Sequence, residues 1–117
     1  MRSFQTFNQD QFFANFHNME DLAFEAINDF LISLPQIITE ISSAINSKNA
    51  LALEISAHSL KGSLSNFYAE SSMIIAWKLE QMGHCNDMNA ADLILNDLNL
   101  ELQKFELELR SLLNDRN

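Results

Sequence analysis

Apolar side chains recur every three or four positions along most of this chain, and that rhythm marks out its helices. Asn18, with the acid Asp21 three residues on, reads as a helix start. From there Ala23, Ile27, Phe30, Leu34, Ile37, Ile41 and Ile45 lead to Asn46, which predicts a helix of about seven turns. Pro35 falls inside it; a kinked single helix is expected in preference to two helices broken at Leu34, since proline removes one backbone donor and crowds the preceding turn. Residues 46–49 form a short polar connector, with Ser47 or Asn49 as the next cap, and a helix is predicted over 50–67. A break at 68–71 precedes a segment at 72–82 that is apolar on nearly every side, so it is either deeply buried or touches something beyond the fold. A loop is expected at 83–87. Asn89 with Asp92 then restarts a helix whose Leu95, Leu98, Leu102, Phe105, Leu109 and Leu112 run to the C-terminus.

The connectors are short, so successive helices should be antiparallel neighbours. The expected fold is all-α: an antiparallel up-down-up-down four-helix bundle over residues 18–117, with a short extra helix from about Asp10. That helix belongs to a segment, residues 1–17, that is polar with interleaved Phe4, Phe7, Phe12, Phe13 and Phe16, rings expected to cap one end of the bundle.

One polar residue stands out against this pattern. In the helix at 50–67, Leu53, Ala57, Leu60, Leu64 and Phe67 form the buried line. At ~100° per residue they fall within roughly 40° of one direction, and His58 points about 140° away from it. His58 should therefore face solvent, with Lys61 one turn on and Gly62 beside it. Leu51 and Ile55 share this outward side, and two aliphatics flanking an exposed histidine suggest a docking patch. Ser65 lies on the same face. Glu54, four residues before His58, is placed to accept a hydrogen bond from the ring.

The run Ala57-His58-Ser59-Leu60-Lys61-Gly62-Ser63 resembles the His-x-Leu-Lys-Gly-Ser motif of histidine-containing phosphotransfer (HPt) domains. The resemblance extends through Asn66, Ala69, Ala76, Leu79, Glu80 and Gly83, and upstream through Phe30, Leu31 and Pro35 with its Ile-rich sequel. Two residues depart from the family pattern. Tyr68 stands in place of the glycine at the end of the motif helix, which bears on the turn, and Ser72 in place of a leucine, which bears on packing.

The resemblance implies the same bundle fold and a defined role: His58 accepts a phosphoryl group from a phospho-aspartate on a receiver domain and passes it to another. It also implies that Lys61 stabilises phosphoryl charge, that Gly62 admits the receiver closely, and that Ser65 neighbours the phosphoryl group. The chemistry suits these residue types. A free imidazole is about nine-tenths neutral, hence nucleophilic, at pH 7.5. A nearby ammonium favours the neutral form and attracts phosphoryl oxygens. A glycine inside a helix costs ~1 kcal/mol, which packing alone does not explain.

Composition narrows the alternatives. The formal net charge of −9 leaves no basic patch for nucleic acid. No apolar run reaches the ~20 residues of a membrane span, and no signal peptide is evident. A single cysteine, Cys85, fits a reducing cytoplasm. His84, Cys85 and Asp87 cluster in one expected loop without a second pair at ligand spacing, so no metal site is expected. No Gly-rich phosphate loop is present, so the expected role is a carrier without kinase activity, needing no cofactor beyond the Mg²⁺ of its receiver partner. The partners expected are receiver domains of response regulators, a hybrid histidine kinase, or both, met by a monomer; only the apolar 72–82 segment leaves a dimer open. The rival reading is a non-catalytic helical adaptor that binds a receiver or kinase through Leu51 and Ile55 without carrying phosphate.

Overall fold

The computed structural model describes residues 6–115, so Phe4 lies outside the described residues. Five helices follow one another: α1 Gln9–Asn15, α2 Glu20–Asn46, α3 Ala50–Ser65, α4 Glu70–His84 and α5 Ala91–Asp115. There is no strand among the described residues. α3 packs on α2 and α4, and α5 on α4 and α2, which closes the four long helices into the expected bundle.

The stripes read from the sequence are the core. Ala23, Ile27 and Ile41 of α2, Leu53, Ala57, Leu60 and Leu64 of α3, Ala76 and Leu79 of α4, and Leu98, Phe105 and Leu109 of α5 are fully buried. α2 runs unbroken through Pro35, as one helix. Phe7 and Phe12 pack at one end of the bundle against Phe67 and Phe105, and Phe12 stacks on Phe67 with centroids 4.7 Å apart. The Asn8 amide donates to the Tyr68 carbonyl and the Asn15 side chain to the Tyr68 hydroxyl, so α1 is also tied to the end of α3.

Helix boundaries moved where the turn chemistry was unmarked. α2 begins after Met19 rather than Asn18, because His17 and Asn18 both take positive φ, 52° and 60°, and finish α1 instead. α4 extends beyond the expected 72–82 at both ends, and the break shifts to 66–69. Gly83, expected in a loop, is a buried residue of α4. A Cβ there would lie 2.6 Å from the Ala50 carbonyl oxygen and 2.6 Å from the Glu54 nitrogen. Glycine is what lets α4 approach the α3 backbone this closely.

Four helices end in the same manner, without glycine. His17, Lys48, Tyr68 and Asn86 sit at φ between 52° and 57°. Around each, two amides turn back to the closing helix; at α3, Tyr68 N–H donates to the Ser65 carbonyl and Ala69 N–H to the Leu64 carbonyl. Tyr68 therefore makes, at positive φ, the turn for which the resemblance led to the expectation of glycine.

Ser72, the second departure, is fully buried, and its hydroxyl oxygen has no hydrogen-bond partner. An unpaired buried hydroxyl is destabilising. Ser72→Ala is expected to raise stability by about 1 kcal/mol, read as a higher urea midpoint at unchanged slope. A lower midpoint would show that a nearby carbonyl takes the Ser72 proton.

Candidate functional site

Asn49 starts the helix that carries the site, its side-chain oxygen accepting from the Ala52 amide at 3.0 Å. The buried line of α3 then fixes the rotation of the helix, and His58 points out with 66% of its side chain exposed.

The residue that holds His58 comes from the next helix. Glu80 of α4, largely buried, places Oε2 2.8 Å from His58 Nδ1 and Oε1 2.6 Å from Lys61 Nζ. The Lys61 contact is an ion pair rather than a well-aligned hydrogen bond, and it leaves Oε1 otherwise unpartnered. Burial raises the Glu80 carboxyl, but its close contacts with the Lys61 ammonium and the His58 ring, and the attraction of their charges, outweigh it. Its ionisation is therefore held below the ordinary carboxylate value, and Glu80 is an anion at neutral pH.

That charge settles the tautomer. An ionised carboxylate can only accept, so a neutral His58 must carry its proton on Nδ1 and donate it to Glu80. The lone pair is then on Nε2, the nitrogen away from the bundle. The arrangement presents a nucleophile outward and backs it with a negative charge that stabilises a developing imidazolium.

The lowered Glu80 ionisation has a consequence for acid stability. A group whose folded value is depressed stabilises the fold above its unfolded value, and that contribution is lost as pH falls through the folded value. Glu80→Gln is expected to cost about 1–2 kcal/mol at pH 7. The gap from the wild type should close as pH drops below the ordinary carboxylate range, since protonated Glu80 is then as neutral as glutamine. Urea unfolding across pH 3–7 checks this; a gap independent of pH would mean that Glu80 contributes packing, not charge.

The other residues singled out from the sequence fall as follows. Gly62 is exposed, and a Cβ there would meet nothing within 4 Å, so its backbone is bare to an approaching molecule. Ser65 shares the exposed face, but its hydroxyl donates to the Gly62 carbonyl at 2.7 Å. Leu51 and Ile55 are well exposed rather than tucked under the N-terminal segment, and Ile74 and Trp77 of α4 are exposed as well. Glu54 does not orient His58: its Oε2 lies 3.0 Å from His84 Nδ1 instead. A residue four positions away shares the helix face, but α4 brings Glu80 closer to the ring from the side. Glu80 belongs to the motif flanks read from the sequence; only its pairing across helices was out of sight there.

Fold and site together define a class: a helical bundle that presents an outward imidazole backed by an acid. The sequence pattern of the Hpt domain matches residues 25–114. The chain belongs to the Hpt domain family, and it is a histidine phosphotransfer protein of phosphorelays. Its structure is similar to the crystal structure of histidine-containing phosphotransfer protein B (HptB) from Pseudomonas aeruginosa PAO1, with a TM-score of 0.86, 19% sequence identity, and coverage of 93% of this chain and 95% of that one. A search of curated proteins finds no match. No helix among the described residues is long and apolar enough to cross a membrane.

Proposed function

We propose that His58 is the residue that carries the phosphoryl group between receiver-domain aspartates. The observation that supports this most directly is the Nδ1 bond to ionised Glu80, which leaves Nε2 free and outward. Nε2 attacks the phosphorus of a phospho-aspartate; the N–P bond forms, the acyl P–O bond breaks, and the aspartate carboxylate leaves. Glu80, hydrogen-bonded to the Nδ1 proton, offsets the charge gained by the ring. Lys61 exchanges Glu80 for the phosphoryl oxygens, and Gly62 gives the receiver room. Onward transfer is the reverse reaction on a second receiver, each receiver supplying its own Mg²⁺. Ser65, its donor already engaged, neighbours the phosphoryl group without donating to it.

Leu51 and Ile55, extended by Ile74 and Trp77, form the apolar ground on which a receiver docks. A monomeric carrier fits this reading, and the net charge of −9 argues against nucleic acid as a partner. A cytoplasmic carrier meeting a hybrid kinase and a response regulator fits these features. The test is a panel of phosphorylated receivers. Label on the wild-type protein that is acid-labile and alkali-stable, as a phosphoramidate must be, supports the reading. A folded protein that binds a receiver yet never takes label would establish the adaptor instead.

A further inference from the structure

The spacing Glu-x-x-x-His occurs twice on facing helices: Glu54 and His58 on α3, Glu80 and His84 on α4. The helices run antiparallel, so each glutamate meets the other helix's histidine. His58 Nδ1 lies 2.8 Å from Glu80 Oε2, and His84 Nδ1 lies 3.0 Å from Glu54 Oε2. Both imidazoles leave 66% of the side chain exposed. The two rungs are reciprocal across the helix pair, and Gly83 provides the close approach to the α3 backbone beside the second one. The four side chains do not converge to hold an ion: among the described residues no group of three or more His, Cys, Asp or Glu side chains is arranged for a metal. Each imidazole faces solvent on its own.

We propose that His84 is a second phosphoryl-accepting imidazole, which takes the group from small phosphoryl donors of the phosphoramidate class. The inference extends to a second histidine the chemistry read at His58. Neutral His84 donates its Nδ1 proton to Glu54 and presents the Nε2 lone pair outward. Nε2 attacks the phosphorus of phosphoramidate; the new N–P bond forms, the donor P–N bond breaks, and ammonia leaves with its electron pair. Nδ1 keeps its proton, and Glu54 balances the charge on the ring. What His84 lacks is the rest of the His58 site. α4 ends at His84, so no ammonium or bare helical glycine follows it, and Asp87 takes the place that Lys61 has in α3. Receivers, which need both, still deliver to His58 alone, while a small donor needs no bare glycine and, without the ammonium, reacts only more slowly.

The chain carries its own control. His17 is exposed and has no carboxylate partner among the described residues. The full-length protein is treated with phosphoramidate, quenched in alkali, digested, and mapped by mass spectrometry over time. His84 is expected to label about a hundredfold more slowly than His58, the usual worth of one charge-stabilising donor. It should label at least roughly tenfold faster than His17, whose tautomer nothing fixes. His58→Gln should keep the His84 label. Glu54→Gln should bring His84 down to the His17 rate and leave His58 unchanged. His84 no faster than His17, or indifferent to Glu54→Gln, would overturn the proposal, and label at His58 in the same sample would show that the first reading survives that failure. Absence of label at His58 from phosphorylated receivers would overturn the first reading alone.

Discussion

His58→Gln is expected to leave the bundle folded and to cut phosphoryl transfer from a phosphorylated receiver by more than about a thousandfold, to background. Glutamine is close to histidine in reach, and its amide can still donate to Glu80, so the carboxylate keeps a partner. His58 is exposed and supports no packing, so the change in stability should stay within about 0.5 kcal/mol. The amide has no nucleophilic lone pair to offer phosphorus, and nothing else beside Lys61 and Gly62 can replace it. Acid-labile label followed against time in both proteins, with circular dichroism as the folding control, reads the result. Transfer from a receiver at more than a few per cent of the wild-type rate would move the acceptor to another residue.

The two glycines should respond to alanine in opposite ways. Helix propensity alone favours alanine by about 1 kcal/mol at both positions. At Gly62 nothing opposes that gain, because a Cβ would stand in open space. Gly62→Ala should raise stability by about 0.5–1 kcal/mol and slow transfer from a receiver, since the added methyl group occupies the line of approach. At Gly83 the methyl group would meet backbone atoms of Ala50 and Glu54, which cannot rotate out of the way. α3 and α4 must then separate, and Gly83→Ala should lose about 3 kcal/mol, or roughly 10 °C in Tm. Separation of the helices also lengthens both His–Glu rungs, so transfer should fall with stability. An unchanged or higher Tm for Gly83→Ala would show that α3 and α4 do not approach as closely as the structure has them.

Much of this was legible in the chain. The three-four stripe of Leu53, Ala57, Leu60 and Leu64 determined both the core of α3 and the outward direction of His58, because helix rotation follows directly from which residues are buried. Glu80 was not legible as the partner of His58. Spacing along one helix reveals only neighbours three and four residues away, which pointed to Glu54. The register between α3 and α4 depends on the depth of their packing at Gly83, and no single-helix pattern contains it. The repeated Glu-x-x-x-His spacing was the available sign. Helix ends were misplaced for a related reason: the left-handed turns at His17 and Tyr68 are made by residues that do not announce them.

Those turns also bear on how the protein meets its partners. A joint built on glycine stays soft, because glycine has many conformations to return to. Here His17, Lys48, Tyr68 and Asn86 join helices with side chains that permit few alternatives. The platform around His58 therefore surrenders little conformational entropy when a receiver lands on it, and a rigid-body encounter suffices. If Leu51, Ile55, Ile74 and Trp77 are where a receiver docks, as proposed, a preorganised face of this kind would let so little apolar surface sustain a brief encounter, tight enough to align phosphorus with Nε2 and loose enough to release the receiver.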